Sequence, residues 1–208
     1  MASYVLTPEF RVSYPNVFRA KKNDLSGKDE FGLVALFKKG ESLAALETDL
    51  LRAAKEKWGD GQFVKGAPHK AGEFYYKTSK GSLPLRLPFR DQGEERLDKE
   101  GNKKDIPDSY TPGAKYLNLK SNQKPGLVDN KNQDIIEESI FYAGCYAKAA
   151  INAYAYDTKG NKGISFGLQA LQKTRDGEPL SSRVKPQDAF QPIEDSSDTT
   201  GDAASLFG

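Results

Sequence analysis

Residues 141–173 read Phe141-Tyr142-Ala143-Gly144-Cys145-Tyr146-Ala147-Lys148-Ala149-Ala150-Ile151-Asn152-Ala153-Tyr154-Ala155-Tyr156-Asp157-Thr158-Lys159-Gly160-Asn161-Lys162-Gly163-Ile164-Ser165-Phe166-Gly167-Leu168-Gln169-Ala170-Leu171-Gln172-Lys173. The alanines invite a helix, but the period is two. Ala143, Cys145, Ala147, Ala149, Ile151, Ala153 and Ala155 alternate with Tyr142, Tyr146, Lys148, Asn152, Tyr154 and Tyr156. A helix would need apolar residues three and four apart, and would not favour recurrent tyrosines. Residues 157–163 break the pattern as a turn, and Ile164, Phe166, Leu168 and Ala170 then share one face. The block predicts a long β-hairpin with a small-residue face and an aromatic, basic face.

Outward from the hairpin, shorter patterns follow. Residues 10–14 alternate apolar and polar and stop at Pro15, a strand with one buried face. Residues 31–37 form a second strand, with Phe31, Leu33, Ala35 and Phe37 on one side. Leu43, Leu46, Leu50, Leu51, Ala54 and Trp58 make a helical stripe, predicting one α-helix at about 43–58, with Ser42 as N-cap and Gly59 just past its end. Residues 59–135 are irregular. Within them, 83–89 reads as an edge strand because of Pro84 and Pro88, and 115–120 as another strand. Residues 90–112 are charged and without period, so a mobile loop is expected. The fold class is mainly β.

The 31 Lys and Arg nearly balance the 29 Asp and Glu, but the charges are segregated. Residues 188–208 hold Asp188, Glu194, Asp195, Asp198 and Asp202 and no base, a net −5. Residues 1–187 then carry 31 bases against 24 acids, a net +7. A basic body with an acidic tail is a pattern of nucleic-acid proteins. The tail is rich in Ser, Thr, Asp and Gly, cannot repay its ordering entropy, and is expected to be disordered. This divides the chain into a domain at 1–187 and a tail at 188–208.

Several classes are excluded. One Cys cannot form a disulfide within the chain, and one Cys with one His cannot make a zinc site. The longest apolar run, 33–37, is too short to cross a membrane, and Met1-Ala2-Ser3 does not begin a signal peptide. A soluble protein of a reducing cytoplasm is expected. Neither a P-loop nor a Gly-x-Gly-x-x-Gly fingerprint occurs. His69 falls in a loop-like stretch, Cys145 reads as a buried filler, and no catalytic residue, cofactor or metal is expected.

The hairpin's aromatic face suggests chemistry. Tyr146, Lys148, Asn152, Tyr154 and Tyr156 should project together, with Lys159 and Lys162 at the tip. Unpaired bases stack on rings and lysines neutralise phosphates, so this face suits single-stranded nucleic acid. Tyr142, and Tyr116 and Lys120 of the strand at 115–120, complete the candidate set. The competing reading is that these tyrosines pack against another layer of the protein. In the tail, Asp195, Asp198 and Asp202 precede an apolar tip of Leu206 and Phe207, a pattern suited to docking on a partner and to competing for a basic groove.

A resemblance joins these pieces. The run 141–157, then Lys159-Gly160-Asn161-Lys162-Gly163-Ile164-Ser165-Phe166-Gly167-Leu168 and Arg175-Asp176-Gly177-Glu178-Pro179-Leu180, is similar to a phage single-stranded DNA-binding protein family of tailed phages and prophages, formerly of unknown function. Arg11-Val12-Ser13-Tyr14-Pro15-Asn16-Val17-Phe18 and Pro125-Gly126-Leu127-Val128-Asp129 also resemble it, and the likeness spans roughly 8–185. The resemblance implies an OB-fold-like five-stranded barrel with the long hairpin. It also implies a non-enzymatic protein that binds and protects single-stranded DNA without sequence preference during phage replication, recombination and repair, in the host cytoplasm. Replication proteins would be recruited through the tail; monomer and dimer both remain open. Two other classes compete. One is an all-β structural or virion protein. The other is a magnesium-dependent nuclease using Asp134, Glu137 and Glu138.

Overall fold

A computed structural model of the chain describes residues 4–23, 27–65, 73–98, 100–158 and 161–180. His69, Lys159 and the tail at 188–208 lie outside the described residues.

In chain order the elements are β1 (Val5–Leu6), β2 (Phe10–Lys22), β3 (Asp29–Leu36), α1 (Ala44–Trp58), β4 (Gly61–Val64), β5 (Glu73–Thr78), β6 (Gly81–Arg86), β7 (Arg90–Asp91), β8 (Arg96–Leu97), β9 (Lys103–Lys104), β10 (Lys115–Ser121), β11 (Gly126–Val128), β12 (Tyr146–Thr158) and β13 (Asn161–Arg175). The hairpin is β12 and β13, paired from Tyr146↔Arg175 out to Thr158↔Asn161. Five long strands close on themselves in the order β2, β3, β10, β13, β12 and back to β2, with β10 and β13 parallel and the other joins antiparallel. This is the OB-like arrangement. Its closure is local, since β10 meets β13 only at Lys120↔Gly167, and β12 meets β2 at Tyr146↔Arg11 and Ala147↔Phe10. The ring is pinched rather than an even barrel.

Inward residues follow the period of two. Val12, Leu33, Ala35, Leu117, Leu119, Ala147, Ala149, Ile151, Phe166 and Leu168 fill the interior. Cys145 is buried with them, and burial raises its thiol pKa, so it is an inert filler. The alanine face of β12 is small because α1 lies against it, burying Leu46, Leu50, Ala53 and Ala54. The helix also covers the open edge of β12. The Ala153 N–H donates to Asp49 Oδ2 at 2.7 Å, and Arg52, paired with Asp49, reaches the Ala153 carbonyl at 3.4 Å. A paired edge cannot recruit foreign strands.

Four sequence expectations are corrected. The first strand does not stop at Pro15. It bulges there, with Ser13 opposite Val34 and Asn16 opposite Gly32, and runs on to Lys22. A bulge leaves a residue unpaired, so the missing proline N–H costs nothing. The helix N-cap is Leu43 rather than Ser42, with no side-chain cap. Residues 61–64 and 73–78 are strands of an antiparallel arm with β6, attached to β13 at Gly163↔Arg86. The stretch 90–112 is held by its polar groups. Buried Gln92 donates through Nε2 to the Phe37 and Lys115 carbonyls, and its Oε1 accepts from the Thr111 N–H, all at 2.8 Å. Such order carries no hydrophobic period, which is why the sequence reads as a loop.

Gly144 and Gly177, from two motifs far apart in sequence, meet in space. Gly144 has φ +116, and a methyl group on it would overlap the Glu178 carbonyl; one on Gly177 would overlap the Gly144 carbonyl. The two motifs are thus halves of one tight backbone crossing.

Candidate nucleic-acid interface

The outward residues of the ring form a continuous belt. Asn16, Gly32, Lys120, Gly167 and Asn152 are consecutive register partners across β2, β3, β10, β13 and β12. Two of the five are glycines, so the belt is low between its side chains. Over β2, β3 and β10 it opens into a groove of about 340 Å³, lined among others by Tyr14, Asn16, Lys21, Lys22, Asn118 and Lys120.

Tyr14 forms one wall. The bulge turns its ring outward, leaving it 60 % exposed, and holds its backbone at φ +46. A bulky residue in the left-handed region is strained, and such strain gathers where a side chain must be aimed. Lys21 and Lys22 are exposed at the end of β2. Lys120 is engaged, with Nζ 2.7 Å from Glu30 Oε2. Burial would raise the Glu30 carboxyl, but hydrogen bonds from Lys120 and Asn23 bring it below its ordinary value, so it stays ionised. The net charge of these groove cations over Glu30 is positive, as a phosphate backbone requires.

The sequence-derived candidates divide. Lys120 and Asn152 lie on the belt, and Tyr154, one outward step along β12, is 47 % exposed. Asn152 accepts from Gln169 Nε2 at 2.7 Å, a residue pushed out by a bulge of β13. Lys148 is exposed further along the same face. Tyr146 and Tyr142 are not open shelves: the Arg175 guanidinium sits 3.3 Å from the Tyr146 ring centroid, and Lys173 Nζ 5.5 Å from that of Tyr142. The Tyr142 hydroxyl is 2.8 Å from the Gly177 carbonyl. Tyr156 lies half-buried over Gly163, its cross-strand partner. Lys162 pairs with Asp157 at 3.4 Å. Tyr116 is only 6 % exposed, because the Tyr110 ring, 6.0 Å away, and the Arg96 guanidinium pack against it. Period two assigns a face but not what covers it, so these positions need correction as freely exposed rings.

Tyr14, Lys21 and Lys22 were not among the sequence-derived candidates. Ending the strand at Pro15 separated the lysines from it. Beyond the proline only Val17 of β2 is buried and residues 19–22 are all exposed, so no alternation in the sequence marked the continued strand.

Among the described residues no group of three or more His, Cys, Asp and Glu could hold a metal ion; Asp134, Glu137 and Glu138 are all exposed, and Glu138 lies 3.7 Å from Arg19.

Comparison with known proteins agrees with this architecture. The chain is 27 % identical over 176 residues to protein p50 of Acyrthosiphon pisum secondary endosymbiont phage 1, covering 82 % of this chain and 83 % of that protein. The structure of the single-stranded DNA-binding protein from bacteriophage Enc34 in complex with ssDNA is similar at a TM-score of 0.61 and 16 % identity, covering 86 % of this chain and 89 % of that one. The bacteriophage T7 single-stranded DNA-binding protein gp2.5 is similar at a TM-score of 0.50 and 12 % identity, covering 89 % and 99 %. At such identities the likeness is one of fold. The sequence model described as the ssDNA-binding protein of Enterobacter phage Enc34 matches residues 3–202, and so the chain belongs to that family.

Proposed function

We propose that this protein binds single-stranded DNA without sequence preference along the outer belt of its ring, and coats unpaired DNA during phage replication, recombination and repair in the host cytoplasm. The observation that carries the reading is the groove over β2, β3 and β10, where the exposed Tyr14 ring stands beside Lys21, Lys22 and Lys120. In OB-like rings this face and its adjoining loops take oligonucleotides, and membership of the Enc34 family supports the same ligand here. Bases would lie on Tyr14 and Tyr154, while the lysines and amides follow the phosphates. Duplex DNA hides its base faces, so unpaired strands are favoured. The protein is non-enzymatic on this reading.

The test is a titration of labelled oligothymidine and of matched duplex at two salt concentrations. Preference for the single strand, with affinity falling as salt rises, is expected. Lys22→Ala should weaken binding and make the salt slope shallower by about one phosphate equivalent. Equal affinity for duplex, or a Lys22→Ala variant that binds normally, sinks the groove. Cleavage of the same strand on adding magnesium would instead support a nuclease.

The acidic tail is proposed to compete weakly for the groove and to dock on replication proteins through Leu206 and Phe207. Removing 188–208 should tighten DNA binding, most at low salt; unchanged affinity would refute the competition.

A further inference from the structure

Among the described residues, the buried side-chain polar atoms without a hydrogen-bond partner are Arg11 Nε, Arg96 Nη2 and Tyr110 Oη. They gather in one patch. Arg11, Leu36 and Tyr116 are register partners across β2, β3 and β10. Leu36 packs with Tyr110 and Tyr116, and Leu180 closes the side. The Arg96 guanidinium rests on both rings, 4.6 Å from the Tyr110 centroid and 5.0 Å from that of Tyr116. The neighbouring carboxylates are engaged elsewhere, Glu94 with Arg90 and Glu95 with Lys103. Buried donors without acceptors are costly, and their clustering marks a missing acceptor.

The patch adjoins the groove. Val34 lines the groove and packs against the tyrosine cluster, and Asn118 stands between Tyr116 and Lys120 on the outward face of β10. Arg96 is carried on β8, which among the described residues pairs only with β9, in a small sheet separate from the ring. Its side chain is half-buried, so part of it is open to solvent.

We infer that Arg96 is a phosphate-binding residue for strands long enough to run beyond the groove, an inference that rests on the groove being the DNA site. The two tyrosines hold the planar guanidinium in place, so little freedom is lost when it engages. A phosphodiester passing over the patch supplies the acceptors that Arg96 Nη2, Arg11 Nε and the Tyr110 hydroxyl lack, Arg11 Nη2 already donating to the Glu178 carbonyl at 2.8 Å. A strand that ends within the groove does not reach them.

The full chain and its variants should be titrated with oligothymidines of about 5 and about 15 nucleotides, lengths bracketing one OB site. Arg96→Ala is expected to lose about tenfold on the long strand with a salt slope shallower by about one, and to stay within about twofold on the short one. Arg96→Lys should recover most of the long-strand affinity, because phosphate needs the charge. A merely structural stack needs the plane, which lysine lacks. Equal losses on both lengths, no loss on either, or an Arg96→Lys variant as weak as Arg96→Ala would overturn the inference. If Arg96→Ala melts early, the Arg96→Lys comparison decides. Lys22→Ala serves as the groove control and should weaken both lengths. Normal binding by that variant would remove the groove, and this subsite with it.

Discussion

Tyr14 holds a backbone conformation that costs of order 1–3 kcal/mol for a non-glycine residue, and it exposes an aromatic ring that folding alone would bury. Stability is given up here for a ring in the groove. Tyr14→Gly should relieve the strain and raise the melting temperature, a net gain of about 1 kcal/mol after the entropy cost of glycine. The same change should weaken oligothymidine binding five- to tenfold, because stacking is worth roughly 1–3 kcal/mol per base. Tyr14→Phe should bind like the wild type. Calorimetry and titration of both variants test this, and a Tyr14→Gly protein that binds normally would remove the stacking role. Tyr14 and Pro15 were visible in the motif, but their meaning was not. A bulge exists only relative to a partner strand, and the offset of Ser13↔Val34 against Asn16↔Gly32 belongs to the pairing with β3.

At the scale of elements, polar groups organise what apolar patterning leaves blank. Gln92 ties the segment 90–114 to the ends of β3 and β10, and leaves no member of its amide unmet. Gln92→Ala should cost about 2 kcal/mol, since the Phe37 carbonyl and the Thr111 N–H lose the amide in a buried place, while the Lys115 carbonyl keeps the Phe37 N–H at 3.0 Å. Urea unfolding would measure it; a loss below half of that would mean water replaces the amide. Gly144→Ala should destabilise at least as much, because the Glu178 backbone must shift and the φ of +116 is unfavourable for alanine. The hairpin and helix were legible because each buries one regular face against the interior. The strand at 83–89 was legible in part as β6, but its partners β4 and β5 and the ordering of 90–114 were not, since their residues are held by cross-strand pairing and single hydrogen bonds rather than by a repeating face.

The whole molecule has a charge pattern with a consequence for its stability. Hydrogen bonds from Arg175 to Glu9, from the Gly113 and Gly93 N–H groups to Asp91, and from Lys173 to Asp176 hold these carboxyls below their ordinary values of 4.5 or 3.8. Folded, they bind fewer protons than unfolded, so the stability they add is present above those values and is lost as the pH falls through the lowered ones. Burial holds the Tyr76, Tyr116 and Cys145 groups above their ordinary values of 10.0 and 9.0. Their neutral forms favour the fold, and that stability fades as the pH rises past those values. The urea midpoint should be flat between about pH 5.5 and 8.5 and fall on both sides. Asp91→Asn, which keeps an acceptor but no titration, should flatten the acid limb; an unchanged limb would place the effect on other carboxyls.

The sequence by itself determined the mainly β class, the long hairpin, an α-helix expected at about 43–58 and found at Ala44–Trp58, and the buried Cys145, and its motifs pointed to the family. These follow from local periodicity and residue chemistry, which each segment carries within itself. Only the tertiary structure decided which aromatic rings face water. Tyr14 and Tyr154 are open, while Tyr116, Tyr142 and Tyr146 are covered by cations from Arg96, Lys173 and Arg175. Exposure is a property of what the rest of the chain lays over a face, and alternation along one strand holds no record of that.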